Sequence, residues 1–565
     1  SFSNAPNLGW YVPVGHNEGK QLPLKQVLDS LQPIFESETI PKIAHNANYD
    51  MTVLTRYGIQ VNNLAFDTTL AAHIGGRKTI GLKTLALEYL HIEMPPMSDL
   101  IGSGRKQITM AQVPIEQAAR YAAADADVAY QLHAIFEREV KEKGVRATLN
   151  AIEIPLVPVL VRMQITGVTL NVELLDQMSE KLGRQLSNIE ATIYQVIGHQ
   201  FNLNSSHQLG DVLFKELKLP PTKRTKTGYS TDASALEWLK QVINQGTVDD
   251  VDPKALQVLD QVLEYRHLSK IKSTYVDTLP SLVNTSTGRI HTNYNQTGSA
   301  TGRVSSNDPN VQNIPVRTEL GRDVRKAFVT HNAPNWSLLA ADYSQIELRI
   351  LAHLSMDTSL LEAFKNGQDI HTTTASSMYG VPMNEVVPNM RRIAKIMNFG
   401  VIYGLSPFGI SQQTGFTPEE GKQFIETYFG RYPGIKDYID SVKTYVNKNG
   451  YVETLKGRRR YIPEVHSSNS HVRAAGERMA INMPIQGTAA DIIKISMVQI
   501  QERIDALKLR SMMIIQVHDE LIFDAPQEEL GELKAVVLEL MPSALDLAVP
   551  LEVELKTGYT WGDME

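Results

Sequence analysis

The sequence predicts a small α/β domain followed by a larger α+β domain, and three observations support this prediction. The chain has 565 residues, of which 42% are hydrophobic and 21% charged, enough for several cores at roughly 150 residues per domain. Residues 1–140 alternate short apolar segments with helical ones, as α/β domains do. Farther along, the clearest strand signals, at 336–351 and 511–524, enclose mostly helical sequence.

The composition excludes several classes of protein. There is no Cys, which excludes disulfides, thiol nucleophiles, iron–sulfur clusters and cysteine-ligated zinc. A net charge of −7 gives no overall sign of nucleic-acid binding, so such binding would depend on local basic patches. The most apolar stretch, residues 154–163, is short and contains Pro155 and Pro158, so we expect no membrane span. Since the chain begins with Ser and shows no signal segment, we interpret it as the soluble remainder of a longer protein.

The individual elements follow from apolar periodicity and from the positions of proline. Short strands are predicted at residues 10–14, 43–44 and 64–66, and a long helical stretch at 110–136 is interrupted by Pro114. Further helices are predicted at residues 174–197 and 209–217. The stretch 223–228, with Lys223, Arg224 and Lys226, is too polar to build a core and predicts an exposed loop.

Motifs for common phosphate chemistry are absent from the sequence. Gly19-Lys20 and Gly421-Lys422 lack both the upstream glycine and the following Ser or Thr of a Walker-type loop. Gln107 occupies the third glycine position of a dinucleotide fingerprint that begins at Gly102. ATP hydrolysis and nicotinamide chemistry therefore lose support.

A first candidate metal ligand is Asp342, at the end of an apolar strand predicted at residues 337–341. The helix that opens at residues 343–347 has Ser344 three positions before Glu347, which is the pattern of a capping box. Taken alone, a cap partner is the preferred interpretation of Glu347. A carboxylate at a strand end, in contrast, is well placed to hold a cation.

A second acidic position lies in a predicted tight hairpin. Two residues, His518 and Asp519, join apolar strands at 512–517 and 520–523. Asp is common in turns because its side chain bonds its own backbone. A His-Asp turn without Gly is nevertheless a weaker hairpin former than Asn-Gly. A structural and a functional reason for these two residues both remain open.

The third feature is a helix on which Arg391, Lys395, Phe399 and Tyr403 recur every four residues. They form a slowly drifting stripe ~18 Å long, with two cations followed by two aromatic rings. This order suits a ligand with an anionic end and a flat end, such as a nucleoside triphosphate. An ordinary amphipathic surface helix is the alternative, but it would not separate cations from rings along one stripe. Gly400 in the same helix costs ~1 kcal/mol relative to Ala, which a close approach by a ligand would explain.

A second ladder places Arg478, Asn482 and Gln486 on one helix face. Their donors suit acceptors on base edges, while an exposed, solvated helix face is the alternative. Basic loops at residues 301–303 and 456–460 are expected to be solvated.

These motifs together resemble the bacterial DNA polymerase I family (family A), in its Klenow-type large fragment. The resemblance runs from about residue 24 to residue 562 and is most specific in five blocks. These are TGRVSSNDPNVQNIP (301–315), DYSQIELR (342–349), RRIAKIMNFGVIYG (391–404), QGTAADI (486–492) and QVHDEL (516–521).

The resemblance implies an α/β, RNase H-like 3′–5′ exonuclease domain at residues 1–140 and an α+β right-hand polymerase domain at 141–565. Within the latter it implies a helical thumb at about 165–290 and helical fingers at about 361–479. The palm, with an antiparallel sheet, would comprise about 291–360 and 480–565.

The resemblance also implies roles for single residues. Asp342, Asp519 and the backbone of Tyr343 would bind two Mg²⁺ ions, with Mn²⁺ able to substitute, and Lys395 would assist the leaving group. Glu347 would be the steric gate that, with Tyr403, excludes a 2′-hydroxyl. The implied nucleotide-binding residues are Arg391, Lys395, Phe399, Tyr403, Glu347, His371 and Gln345. The implied DNA-binding residues are Arg303, Arg478, Asn482, Gln486, His518, Lys272, Asn310 and Gln312.

The exonuclease-like domain departs from the family pattern. Asp50, Tyr121 and Asp125 resemble residues of its second and third acidic blocks, but no Asp-x-Glu pair precedes them. We expect the domain to lack its first strand, and its metal site to be incomplete and inactive in this chain.

Two other functions compete with this interpretation. A single-subunit RNA polymerase would share both aspartates, but Glu347 argues against it because ribonucleotides need space at that position. A non-catalytic DNA-binding scaffold would not need both Asp342 and Asp519. The expected partners are primer-template DNA and dNTPs, with a monomeric, cytoplasmic protein and no membrane contact.

Overall fold

The computed structural model describes residues 1–226, 228–246, 251–316, 318–404 and 406–564 of the chain. By their internal contacts these residues divide into two compact units. The first unit comprises Ser1–Gly167, Thr292–Gln312 and Pro334–Thr557. The second comprises Val168–His291, Asn313–Ala333 and Gly558–Glu565.

Residues 1–167 form an α/β arrangement with short strands. Its elements are β1 (Phe2–Ala5), β2 (Leu8–Trp10), α1 (Leu24–Phe35), β3 (Lys42–Ala44), α2 (Ala47–Arg56), β4 (Leu64–Asp67), α3 (Thr68–Ile74), α4 (Leu82–Leu85), α5 (Met97–Ile101), α6 (Ile115–Glu142), α7 (Arg146–Thr148) and α8 (Ile154–Thr166). Strands β3 and β4 confirm the strands predicted at 43–44 and 64–66, and they pair in parallel. The strand predicted at 10–14 is wrong, because β2 ends at Trp10 and Pro13 cannot donate to a ladder. Helix α6 begins directly after Pro114, which is its N-cap residue.

The most apolar helical segment is longer than predicted. Helices α7 and α8 are joined by a π-helical turn, Leu149–Glu153, and the continuous segment Arg146–Thr166 has the length and composition to cross a membrane. Pro155 lies in the first turn of α8 and Pro158 inside it, and neither ends the helix. Of its most apolar window, 67% is buried inside the protein. This burial is what a core helix shows.

Residues 168–343 contain β5 (Val168–Leu170), α9 (Val172–Ile197), α10 (Ser206–Asp211), β6 (Arg224–Thr225), β7 (Gly228–Tyr229), α11 (Ala233–Asn244), α12 (Ala255–Ile271), α13 (Thr278–Ser281), β8 (Arg289–Ile290), β9 (Asn293–Asn295), β10 (Ser305–Asn307), α14 (Glu319–Arg325), β11 (Phe328–Val329) and β12 (Trp336–Tyr343). The helix predicted at 174–197 is α9, and that at 209–217 is the end of α10 with a π-helical turn at Val212–Glu216. The loop predicted at 223–228 is exposed but forms a two-stranded hairpin, β6–β7. Thr227 of that stretch lies outside the described residues.

The remaining elements are α15 (Ile346–Ser355), α16 (Thr358–Lys365), α17 (Ile370–Tyr379), α18 (Pro388–Ile402), α19 (Pro407–Thr414), α20 (Pro418–Arg431), α21 (Pro433–Asn449), β13 (Tyr451–Glu453), β14 (Arg459–Tyr461), α22 (Ser470–Leu507), β15 (Met512–Val517), β16 (Glu520–Pro526), α23 (Leu530–Ser543) and β17 (Val553–Gly558). The strand signal at 336–351 is strand only as far as Tyr343, because Gln345 takes a left-handed conformation, with φ of 51°, and α15 follows.

A four-stranded sheet in the order β15-β16-β12-β17 positions the site. Alternation places Leu339 of β12 and Phe523 of β16 in one apolar core, where both are fully buried. The long helix α22 packs Ile485 and Ile492 into the same core. One apolar core therefore supports both the sheet and helix α22.

Candidate active site

The sheet brings the two candidate metal ligands together. Strands β12 and β16 pair antiparallel with Asp342 opposite Glu520, and the turn residues His518 and Asp519 directly precede Glu520. The backbone N–H of Tyr343 donates to the Asp519 carbonyl at 3.2 Å. This bond ties the end of β12 to the hairpin turn, so two positions far apart in sequence become neighbours.

Both carboxylates are electrostatically unfavourable when ionised. Burial, together with the negative charges of Glu347 and Asp342, raises the pKa of Asp519 to about 7 despite the opposing charge of Arg303. Asp342 has an exposed side chain, but enough protein surrounds its carboxyl group that burial, reinforced by Glu554, still raises its pKa. A divalent cation between the two would relieve this repulsion.

Asp519→Asn is expected to stabilise the folded protein at pH 8 in metal-free buffer, by on the order of 2 kcal/mol. The folded pKa of Asp519 lies above its unfolded value, so its stabilising contribution is complete below the unfolded pKa and is lost as the pH rises through about 7. Asn carries no charge and avoids that loss. Thermal unfolding at pH 8 and pH 5 checks this prediction, and an equal melting temperature for both proteins at pH 8 would contradict it.

Glu347 does not cap its helix, so the capping-box interpretation is wrong. The N-cap residue of α15 is Gln345, and no side chain caps it. The carboxylate of Glu347, only 6% exposed, instead accepts hydrogen bonds from Arg303 at 2.7 Å and from the Tyr403 hydroxyl at 3.2 Å. The Gln486 amide donates to the same hydroxyl at 3.2 Å. A continuous chain of bonds thus joins Arg303, beside Asp519, to helix α22.

Helix α18 carries the predicted stripe of cations and rings. Lys395 is exposed, and Arg391 forms a 2.6 Å ion pair with Asp369. The ring of Phe399 lies 5.8 Å from that of His371. Tyr403 directly follows the last helical residue, and its N–H donates to the Phe399 carbonyl at 3.1 Å.

His371 is buried and neutral at this end of α18. Burial lowers its pKa to about 4, and Nδ1 accepts a 3.0 Å hydrogen bond from the Asn398 amide, which leaves the ring proton on Nε2. Sequence reasoning missed Asn398, although it is the polar residue next to Phe399 within the stripe's own block.

Gly400 lines a cavity of about 330 Å³ together with Met397 and Gly404. A close approach by a ligand at Gly400 stays a prediction. A side chain on Gly404 would lie 2.7 Å from Cγ of Arg478, so close packing against α22 accounts for glycine there.

The polar ladder on α22 faces the same region. Arg478 is exposed, and Oδ1 of Asn482 is buried with no hydrogen-bond partner among the described residues. Oε1 of Gln345 is likewise buried without a hydrogen-bond partner among the described residues. Buried acceptors are normally paired, so these two are available to donors on a ligand.

The other predicted DNA-binding residues already have partners within the protein. Asn310 accepts from the Gln312 N–H at 3.0 Å, and the Gln312 amide donates to the Gln516 carbonyl at 3.2 Å. Gln516 in turn donates to the backbone carbonyl of His518 at 2.7 Å. In the second unit, Lys272 pairs with Asp277 at 2.8 Å.

The exonuclease-like residues do not form a metal cluster. Burial raises the pKa of Asp50 to about 6, with Asp67 contributing. Asp67, however, accepts four backbone N–H groups, those of Asn46, Ala47, Thr69 and Leu70. Burial also raises the pKa of Asp125, and the ring of Tyr121 lies 4.8 Å from the Lys83 ammonium. Within the described ranges, no group of three or more His, Asp or Glu side chains could hold a metal ion.

The basic stretch at 456–460 is only partly solvated, contrary to expectation. Arg458 is 3% exposed and pairs with Asp491 at 2.7 Å. Sequence reasoning missed the buried charges around Arg458. A usable signal was present, because Asp491 and Lys494 are lone charges in an otherwise apolar helical run.

Two family models match consecutive parts of the chain. Residues 172–563 match the family model described as "DNA polymerase family A", and residues 4–141 match that described as "3'-5' exonuclease". The whole chain is 45% identical to DNA polymerase I of Chloroflexus aurantiacus over 573 residues. It is also 49% identical to the thermostable DNA polymerase I of Thermus thermophilus over 414 residues, 73% of the chain and 48% of that protein.

A similar solved structure is "POL domain of Pol1 from M. smegmatis complex with DNA primer-template and dNTP". It has a TM-score of 0.86 and 39% identity, over 96% of this chain and 90% of that one. The chain spans only 59% of the C. aurantiacus protein. The predicted fold, an exonuclease-type domain followed by a polymerase domain, is confirmed.

Proposed function

Because the chain belongs to the family A DNA polymerases, we propose that it is a template-directed DNA polymerase, which adds deoxynucleoside monophosphates from dNTPs to a primer 3′-hydroxyl. The observation that carries this proposal is the placement of Asp342 and Asp519 beside the bonded chain Arg303–Glu347–Tyr403–Gln486. It unites a cation site with a polar surface that could recognise a primer terminus and a sugar.

Members of the family are metal-dependent, and the acidic pair fits Mg²⁺. This ion often takes only one or two carboxylates and completes its coordination with substrate phosphates, so a larger protein cluster is not required. Burial, reinforced by the negative charges of Glu347 and Asp342, raises the pKa of Asp519, and a bound cation would offset both effects. Two bound ions, held by Asp342, Asp519 and the backbone of Tyr343, would supply activation of the 3′-hydroxyl and neutralisation of the leaving pyrophosphate.

The protein's own groups would bind and orient the nucleotide. Lys395 is exposed and free to reach a triphosphate, and it would neutralise and protonate the leaving group. Arg391 would exchange its surface pair with Asp369 for a phosphate, which forms stronger bidentate bonds. Neutral His371 would donate from Nε2 to a phosphate oxygen. Phe399 and Tyr403 would pack on the sugar and the new base pair.

On the DNA side, Arg478, Asn482 and Gln486 would follow the minor groove of the primer-template. Acceptors there occupy similar places in every correct pair, so this face could test pair geometry without reading sequence. Asn310, Gln312 and His518 would act on the same side, partly through the bonds they make within the protein. Lys272, in the second unit, would also bind DNA. Lys223, Arg224 and Lys226 lie exposed where backbone phosphates could bind. For the palm, fingers and thumb we propose the boundaries inferred from the sequence. The protein would be a cytoplasmic monomer without membrane contact.

Primer extension tests this proposal. A labelled primer-template with Mg²⁺ should be extended when dNTPs are supplied and far less when ribonucleoside triphosphates are supplied. Extension with ribonucleotides at equal efficiency would favour an RNA polymerase. Tight DNA binding without extension would favour the non-catalytic scaffold.

The exonuclease-like domain is expected to be inactive, so a mismatched primer 3′ end should be trimmed negligibly. Asp67 is committed to four backbone donors, and Asp50 and Asp125 alone supply too few free carboxylates for two cations. Incubation with Mg²⁺ and no dNTPs checks this on a gel. Rapid shortening of the primer that Asp50→Ala abolishes would show that the domain edits.

A further inference from the structure

A cluster of buried charges lies outside the groups used above. Glu153, Arg458, Asp491 and Lys494 are 2%, 3%, 0% and 0% exposed. Lys494 donates to Glu153 at 2.7 Å, Arg458 Nε donates to Asp491 at 2.8 Å, and Arg458 also pairs with Glu153. Burial opposes ionisation of Glu153, yet the charges of Lys494 and Arg458 hold its pKa at about 2. Two cations and two anions therefore form a neutral, ionised cluster.

This cluster joins three separate parts of the first unit. Glu153 ends the π-helical turn before α8, Arg458 lies between β13 and β14, and Asp491 and Lys494 are on α22. Glu153 falls between the ranges that the two family models match, 4–141 and 172–563. A residue outside both matched ranges thus supplies one charge of a cluster whose other three members lie within 172–563.

The loop that carries Arg303 rests on this cluster. A Cβ atom on Gly302 would lie 2.6 Å from Nε and 2.8 Å from Cζ of Arg458, so the loop backbone packs closely against the guanidinium group. A Cβ atom on Gly487 of α22 would likewise lie 2.6 Å from Thr454 and 3.3 Å from the Thr301 carbonyl. Thr454 donates to Asp491 at 2.7 Å, which extends the cluster to this second contact.

The contacts close into a ring that passes through the active site. From Arg303 the bonds run through Glu347 and Tyr403 to Gln486 on α22. From Thr301 and Gly302, on the other side of Arg303, the contacts run to Gly487 and to Arg458. The Arg303 side chain is therefore connected to Gln486, and the backbone two residues before it contacts the adjacent residue Gly487 on the same helix, α22.

We propose that Arg458 is a positioning residue for Arg303, and that Glu153 and Asp491 hold Arg458 in the orientation this requires. The inference rests on the proposed polymerase function. The planar guanidinium supports the loop at Gly302 and is itself fixed by two carboxylates, a geometry that a lysine ammonium does not reproduce. A buried cluster of this kind adds little net stability compared with apolar packing, so its effect lies in fixing geometry.

Arg458→Lys is expected to lower kcat/KM for dNTP insertion by ~10- to 100-fold, the scale of a small misplacement of an active-site group. The matched control is Arg459→Lys, on the same hairpin, whose partner Glu453 lies outside the buried cluster. The control should stay within ~3-fold of the unmodified protein. An Arg458→Lys enzyme as active as the control would overturn the inference.

A double-mutant cycle separates positioning from general destabilisation. If Arg458 acts through Arg303, Arg458→Lys should cause no further loss of kcat/KM in an Arg303→Ala background, while melting-temperature losses still add. Losses of activity that multiply in the two backgrounds would refute positioning. If Arg458→Lys shows no cooperative unfolding transition and so does not fold, Gly302→Ala replaces it in the double-mutant cycle. Gly302→Ala disturbs the contact between the loop and Arg458 but leaves the ion cluster intact, and the same two outcomes support or refute positioning. An unmodified protein that fails to extend a primer would refute the proposed function, and this inference with it.

Discussion

Asp342→Asn and Asp519→Asn are each expected to lower the rate of nucleotide insertion by at least ~10³-fold, the upper scale for loss of one charge-stabilising group. Each substitution removes a negative charge that would hold the cations where the 3′-hydroxyl and the leaving pyrophosphate react. The affinity for primer-template should change little, since it comes mainly from Lys and Arg contacts with phosphates. Single-turnover insertion kinetics and a DNA-binding titration measure the two effects separately.

Glu554→Gln is the matched control for this pair. Glu554 is close enough to Asp342 to contribute to its raised pKa, but it lies on β17, outside the acidic pair. Its removal should leave insertion within ~3-fold of normal, as for an exposed charge. Near-normal insertion by either Asp variant would show that the catalytic site lies elsewhere. The greater thermal stability expected of Asp519→Asn makes misfolding an unsuitable explanation for its loss of activity.

Glu347→Ala is expected to reduce discrimination between deoxy- and ribonucleotides by ~10²-fold or more in the ratio of kcat/KM values. Exclusion by a side chain depends on its volume, so shortening it opens space for a 2′-hydroxyl. Deoxynucleotide insertion should fall as well, because Arg303 and the Tyr403 hydroxyl lose their shared acceptor. Insertion kinetics with both sugars on one template provide the measurement.

Glu347→Gln distinguishes volume from charge. Gln preserves the bulk that excludes the 2′-hydroxyl, so sugar discrimination should remain, while the neutral amide binds Arg303 more weakly and lowers the insertion rate. If Glu347 only capped its helix, Glu347→Gln would change neither stability nor insertion noticeably. Glu347→Ala would then lower the free energy of unfolding by about 1 kcal/mol without changing sugar preference. An unchanged sugar ratio in Glu347→Ala would remove Glu347 from the gate and reopen the question of which sugar is used.

The sequence by itself determined the elements that carry the site. Short apolar runs identify the strand before Asp342 and the hairpin around Asp519, and a four-residue repeat identifies α18 with Arg391, Lys395 and Phe399. These patterns are local, because a strand or a helix repeats its exposure within a few residues. The same locality explains why the strand predicted at 10–14 failed, since proline and pairing partners decide such short segments.

Only the tertiary structure decided which partners these side chains have. Glu347 has the spacing of a cap, yet it bonds Arg303, 44 residues earlier, and Tyr403, 56 residues later. Arg458 lies in a run that looks solvated, yet its partner Glu153 is 305 residues away. The physical reason is that a polar group taken out of water must find a partner wherever the packed chain brings one, and local patterns do not encode that distance. Position along the chain therefore predicted the candidate functional residues, while burial and long-range pairing determined what each of them contacts.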